Sequence, residues 1–386
     1  MDGAAVTDAV NDSLLTPFSL AGVSLRNRYV MSPMTREFSS DGVPGDGVAG
    51  YYERRARHGF GLIVTEGIGV DDAAAVDKPG VPLLAGAASI AGWKRVTDRV
   101  HAAGGVIVAQ LWHQGPLRDP RGSRHPQIEA LRPSGIWGPA QGLVSISAEE
   151  RAYFLPETRP MSESEIGEVI LAYGRAAAAA VAAGFDGVEL HGGHGYLLDS
   201  FMWAQTNRRV DRWGGDARAR SSFAAEVVHL VRGAIGLRPL MYRFSQHKQQ
   251  DYKARLAQTP DELGATLEPL VEAGVDVFDA SSRSFDLPAF EGSPMSLAGW
   301  ARRLTGRPVM AVGGVGLGKP FRPSEGGGAL VEGVDNLDRV RERFAAGEFD
   351  LIGVGRAALN DPRWIERIAA GEPPLAFDPA NLLRLT

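Results

Sequence analysis

Short apolar runs recur along the chain, and helical patterns fill the spaces between them. The runs cover residues 29–31, 59–64, 105–109, 187–190, 239–242, 275–278, 308–312 and 350–354. Their brevity and continuous apolar character predict strands buried on both faces. Among the helical stretches, Trp93, Val96 and Val100 fall on one face before the third strand. Ser162 and Glu165 have capping-box spacing and open a long helix that reaches Ala183. Helices are also expected over 222–235, 259–273 and 335–346. The second of these begins on Thr259, Pro260, Asp261 and Glu262, which are a capping side chain, a first-turn proline and two acids against the helix dipole. Ala-Gly pairs at 103–104, 183–184 and 273–274 precede strands and suit helices that end in a left-handed turn.

Eight strand–helix pairs predict a parallel α/β architecture, closed as a single (β/α)8 TIM barrel. The doubly wound alternative would place a Gly-x-Gly-x-x-Gly turn after the first strand, and none is present. Residues 18–25 alternate apolar and polar around Ala21-Gly22 and predict an N-terminal hairpin. Residues 1–13 read as a flexible tail, and residues 14–386 as one barrel domain. The stretch 116–160 follows the third strand, is too long for a connector, and is expected to fold as a capping excursion with its own hairpin over the barrel mouth.

Composition narrows the function. The chain has 386 residues, 44% hydrophobic and 23% charged, the range of a globular protein. Its net charge of −5 suggests no basic surface for nucleic acid. Cysteine is absent, which removes thiolate nucleophiles, disulfides, Cys-ligated zinc and Cys-ligated iron–sulfur clusters. The first residues have neither a basic nor an apolar leader region, and the run 176–183 is too short to span a bilayer, so a cytoplasmic location without a membrane partner is expected.

Barrel chemistry sits at the carboxyl ends of the strands. There the chain carries Ser32, Pro33, Met34 and Thr35; Glu66 and Gly67; Gln110 and Trp112; His191, His194 and Tyr196; Arg243; Gly313 and Gly314; and Gly355 and Arg356. The two imidazoles and the phenol lie within six residues. They suit a carbonyl substrate, with the imidazoles on its oxygen and the phenol as proton source. Two histidines three apart also suit metal ligands, although no third ligand has obvious spacing, so no metal is expected. Gln110 and Arg243 suit a planar ring with amide-like edges. The three late glycines with Arg356 suit a phosphate, although Gly313-Gly314 also fits a plain turn and Arg356 a surface pair with Asp361.

The stretch His191-Gly-Gly-His194-Gly-Tyr196-Leu resembles the signature of the old yellow enzyme family of FMN-dependent ene-reductases. Asn207-Arg-Arg-Val-Asp211-Arg-Trp213-Gly-Gly is similar to a second family motif, and 32–35, 133–134 and 160–162 to others, so that the likeness runs from Phe18 to about Pro362. The resemblance implies non-covalent FMN bound by Ser32, Pro33, Met34, Thr35, Gly67, Gln110, Arg243, Gly313, Gly314, Gly355 and Arg356, with Arg243 stabilising negative charge on the reduced ring. It implies NADPH or NADH as hydride donor and a small enone or similar activated alkene as partner. His191 and His194 would bind the substrate oxygen, Tyr196 would donate the proton, and Trp112 would shape the pocket. Phe285, in a stretch expected to cover the flavin, is assigned to the substrate site. A monomer or a homo-oligomer fits equally. Nitroester or nitroaromatic reduction on the same scaffold is the alternative, and a flavin-free metal hydrolase a remoter one. An aldolase would want a buried strand-end lysine, whereas Lys248 reads as part of a polar loop. The chain departs from the family at Glu37, where some members carry tyrosine, at Gly67, and in the polar segment 245–258.

Overall fold

A computed structural model describes residues 12–140, 147–318 and 333–386. A hairpin of β1 (Phe18–Leu20) and β2 (Val23–Leu25) comes first. Eight strands follow: β3 (Tyr29–Met31), β4 (Leu62–Gly69), β5 (Ile107–Trp112), β6 (Gly187–His191), β7 (Leu240–Ser245), β8 (Val277–Ser281), β9 (Val309–Val312) and β10 (Leu351–Val354). All pair in parallel with their sequence neighbours, and β10 closes on β3 to complete a (β/α)8 barrel. The expected strands are all present, but β4, β5, β7 and β8 run three to five residues further at their carboxyl ends than the apolar runs did.

Two cores hold this architecture. Inside the barrel, Val30, Leu62, Val64, Val108, Met241 and Met310 pack together, and Leu20 and Leu25 of the hairpin pack onto them. The hairpin therefore seals the end opposite the site. The larger core lies between the strands and the surrounding helices, where Trp93, Val96 and Val100 are fully buried. The capping box forms as read: Ser162 Oγ accepts the Glu165 N–H at 3.3 Å, and Glu165 accepts the Ser162 N–H at 2.8 Å. Thr259 Oγ1 accepts the Glu262 N–H, and that helix ends on Gly274 at φ 115°.

Two expectations need correction. The excursion 116–160 holds no strand among its described residues; it is built of short 3-10 turns and a helix, Ala148–Phe154, and part of it (141–146) lies outside the described residues. Asp12, expected in the tail, is buried, and its carboxylate accepts a 2.6 Å hydrogen bond from Tyr29 and pairs with Arg341. The rest of the tail, 1–11, lies outside the described residues. Among the described residues, no helix is long and apolar enough to cross a membrane.

Candidate active site

The carboxyl ends of the strands surround two adjoining cavities of 610 and 280 Å3, with Pro33, Met34, Thr35, His194, Arg243 and Gln249 common to both. The larger takes in Ser32, Gly313, Gly314, Gly355 and Arg356. The smaller takes in Gly67, Gln110, Trp112, His191 and Tyr196. Residues spread over 325 positions, from Ser32 to Arg356, thus converge on one place.

Polar side chains near the strand ends hold one another inside the barrel. Gln110 and Glu189 face each other in register on β5 and β6, and Gln110 Nε2 donates to Glu189 Oε1 at 2.7 Å. Arg243 and Asp279 also lie in register, on β7 and β8, as an ion pair with Nη1 3.1 Å from Asp279 Oδ2 but without hydrogen-bond geometry. Burial pushes both carboxyls upward; Asp279 raises Glu189 further, while Arg243 opposes the shift of both. Arg243 Nη2 donates to Ser281 Oγ at 3.0 Å, while Nε and Nη1 lack a hydrogen-bond acceptor. A buried guanidinium with unused donors that lines a cavity is suited to an electron-rich ring edge.

On β4 the register slips between Val64 and Gly67. This bulge leaves Thr65 and Glu66 outside the regular ladder. Glu66 Oε2 accepts the N–H groups of Arg36 at 2.8 Å and Glu37 at 3.0 Å, fixing the turn after Thr35. Burial raises its carboxyl from 4.5 to about 7, against the pull of those two N–H groups. A carboxyl whose folded value is raised stabilises the fold while protonated, and this contribution is lost as pH climbs toward 7. The shift corresponds to about 3 kcal/mol. In FMN-free protein, the stability lost between about pH 5 and about pH 8 should shrink by about that amount in Glu66→Gln. Parallel denaturation curves for the two proteins would remove this role. At Gly67, an added Cβ would lie 2.6 Å from Trp112 Cε3, so glycine there admits the indole.

His191, His194 and Tyr196 stand at the end of β6. Tyr196 packs edge-on against Trp112, with centroids 4.9 Å apart, and 4.8 Å from His191. His194 Nδ1 lies 3.3 Å from His191 Nε2, and His194 Nε2 lies 2.9 Å from Ser281 Oγ. Among the described residues, no group of three or more His, Asp or Glu is arranged to hold a metal. Burial holds both imidazoles well below their usual range; Arg243 adds to this at His191, and His191 itself at His194. Burial raises the Tyr196 phenol, and Asp77 adds to the shift.

A family model described as the NADH:flavin oxidoreductase / NADH oxidase family matches residues 13–317, well over half of the chain. The chain belongs to this family. It is the old yellow enzyme family that the motifs resembled, and the protein is an oxidoreductase that uses FMN with NAD(P)H as hydride donor. The chain is 30% identical over 361 residues to 12-oxophytodienoate reductase 7 of Oryza sativa, covering 92% of this chain and 87% of that protein. It is 40% identical over 243 residues to flavin oxidoreductase hxnT of Emericella nidulans, a match spanning 61% of this chain and 60% of that protein. A solved structure of morphinone reductase in complex with tetrahydroNAD aligns with a TM-score of 0.77 at 26% identity, covering 96% of this chain and 94% of the other.

The residues fit the cofactor of this flavoenzyme family. Gly313 and Gly314 take φ 143° and 72°, and a Cβ at Gly313 would collide with the Ser282 carbonyl. This is a turn that only glycine accommodates easily. Arg283 and Arg356 both line the larger cavity, and Arg283 lowers the Arg356 guanidinium, after burial. Two cations facing one space favour a phosphate there. Arg356 is not the partner of Asp361, which Arg367 takes at 2.9 Å.

One site assignment fails. Phe285 is 3% exposed in the outer core and lines neither cavity. Its N–H is tied to the Gly313 carbonyl, which turns the aromatic ring inward; Arg283, two residues earlier, reaches the cavity instead and stacks on Tyr252 at 4.3 Å. His247, Gln249 and Tyr252 also line the larger cavity and were not singled out as site residues, although their segment stood out by its polarity. Lys248 is a second correction: it is fully buried, 2.6 Å from Asp199.

Proposed function

We propose that this protein is an ene-reductase that reduces the activated C=C bond of α,β-unsaturated carbonyl compounds with NADPH or NADH in a ping-pong cycle. The supporting observation is the convergence of two neutral imidazoles, one phenol and one indole on a small cavity that opens onto the larger, arginine-lined one. FMN, which Gln110, Arg243 and the glycine–arginine end of the larger cavity would hold, would supply the hydride chemistry between nicotinamide and alkene. His191 and His194 donate hydrogen bonds to the carbonyl oxygen and draw electrons from the β-carbon. Tyr196 gives its O–H proton to the α-carbon as the hydride reaches the β-carbon, and takes a proton back from cavity solvent. Trp112 forms the wall against which the substrate lies. Both reactants use one cavity, so the nicotinamide must leave before the alkene enters.

Purified protein should be yellow, should bleach anaerobically with NADPH or NADH, and should regain its colour on adding cyclohexenone or maleimide. Bleached protein that no alkene reoxidises would overturn the proposal. The raised phenol and lowered imidazoles also fix a pH profile. Tyr196 stays protonated and the histidines stay neutral, so the alkene half-reaction should vary little between about pH 6 and about pH 9. A rate that falls with an apparent pKa of about 10 would show that the donor is an ordinary phenol.

A further inference from the structure

The polar segment after β7 has no part in the chemistry above, yet it grips the turn that carries His194 and Tyr196. His194 sits at φ 64°, a left-handed conformation uncommon outside glycine. Such a conformation persists where its surroundings fix it. Here the Ser245 hydroxyl accepts the His194 N–H at 2.8 Å, and the Gln249 N–H donates to the His194 carbonyl at 3.0 Å. The next N–H, that of Gly195, donates to Asp199 Oδ2 at 2.6 Å. Lys248 Nζ donates to the other oxygen of that carboxylate at 2.6 Å and to the Ser245 carbonyl at 3.2 Å. Gln250 fills the space beside Gly195, where a Cβ would strike its side-chain oxygen, and donates to the Trp137 carbonyl at 3.0 Å. Asp199, Ser245, Lys248 and Gln250 are all fully buried.

A buried carboxylate without a partner would give up its charge or leave the interior. Lys248 removes that cost and also ties Asp199 to the end of β7. We propose that Asp199 is a positioning residue for Tyr196 and His194, acting through the Gly195 N–H, and that Lys248 is the counter-charge that lets a carboxylate serve there. The inference rests on the reading that Tyr196 and His194 meet the alkene. It goes further by assigning the alignment of that pair to Asp199, just beyond the turn after β6, and to its buried counter-charge after β7.

The test compares two charge-free pairs in the FMN-loaded enzyme. Asp199→Asn with Lys248→Met keeps an acceptor for the Gly195 N–H. Asp199→Leu with Lys248→Met removes it. Both should retain FMN and its midpoint potential. The first should keep its affinity for an added phenol, whose oxygen stands in for that of the substrate and whose binding is read from a charge-transfer band with the flavin, and the rate of alkene reduction within about threefold of the unaltered enzyme. The second should lose at least about tenfold in both, and hydrogen exchange at the peptide holding Gly195 should quicken. Ser245→Ala, a milder change that removes the acceptor for the His194 N–H, should raise the phenol Kd at least about threefold, so the idea stays testable if the leucine variant does not fold. Equal phenol affinity and equal exchange in the two double variants would overturn the proposal, as would an unchanged Kd in Ser245→Ala. The exchange measurement needs no turnover. An unaltered enzyme that reduces no alkene, with exchange responding as expected, would defeat the functional reading and leave the clamp intact.

Discussion

Tyr196→Phe should slow the alkene half-reaction by about 100- to 10,000-fold, the range that one positioned general acid supplies. Reduction of the bound flavin by NADPH or NADH should stay within about twofold. The asymmetry follows from what the phenol does. It lies between Trp112 and His191, with part of its ring on the cavity surface, and burial keeps its proton in place through neutral pH. Saturating a C=C bond needs a hydride at one carbon and a proton at the other, whereas taking a hydride from nicotinamide needs no proton from the protein. Phenylalanine keeps the ring and its packing, so the cavity shape survives while the proton source is lost. Stopped-flow traces of the two half-reactions, recorded separately, give the comparison. If both rates fall together, Tyr196 shapes the cavity and does not act as the acid.

The barrel and most of this site were legible in the residues because parallel strands buried on both faces leave continuous apolar runs, and because the motif residues follow them. The strand ends were less legible for a physical reason. Gln110 lies inside β5, Arg243 inside β7 and Glu66 inside β4, but each is polar, so the apolar signal stops short of it. Partners on neighbouring strands absorb the polarity of two of them, as Gln110 meets Glu189 and Arg243 meets Asp279, and such partners are invisible along one strand. Lys248 misled for the same reason. A lysine within Gln-His-Lys-Gln-Gln reads as solvated, and its partner Asp199 lies 49 residues earlier in the chain. Phe285 erred the other way: an aromatic residue in a loop near the site suggested a substrate wall, but its direction depended on the backbone tie to Gly313.

Arg243→Met should lower the two-electron midpoint potential of the bound flavin by about 60 mV, whereas Asp279→Asn should raise it. The guanidinium lines both cavities, with Nε and Nη1 lacking hydrogen-bond acceptors, so it is poised to favour negative charge that develops there on reduction. Removing one such preorganised donor costs roughly 3 kcal/mol. For a two-electron couple that energy corresponds to about 60 mV. The neighbours limit the effect. Glu189 and Asp279 are both pushed upward by burial, and Asp279 raises Glu189 further, so the pair holds a proton that offsets part of the charge set against Arg243. When the arginine is lost, Asp279 gains a proton more readily. The layer then stays close to neutral, which keeps the shift nearer the cost of the missing donors than that of a whole unscreened charge. Asp279→Asn instead removes the negative side of the pair and leaves the guanidinium in place, so it acts in the opposite direction. Opposite signs in a dye-coupled redox titration separate a charge effect from loosened FMN, because a loosened site would move both variants toward the potential of free flavin. Shifts of the same sign would show that Arg243 serves the barrel interior rather than the ring.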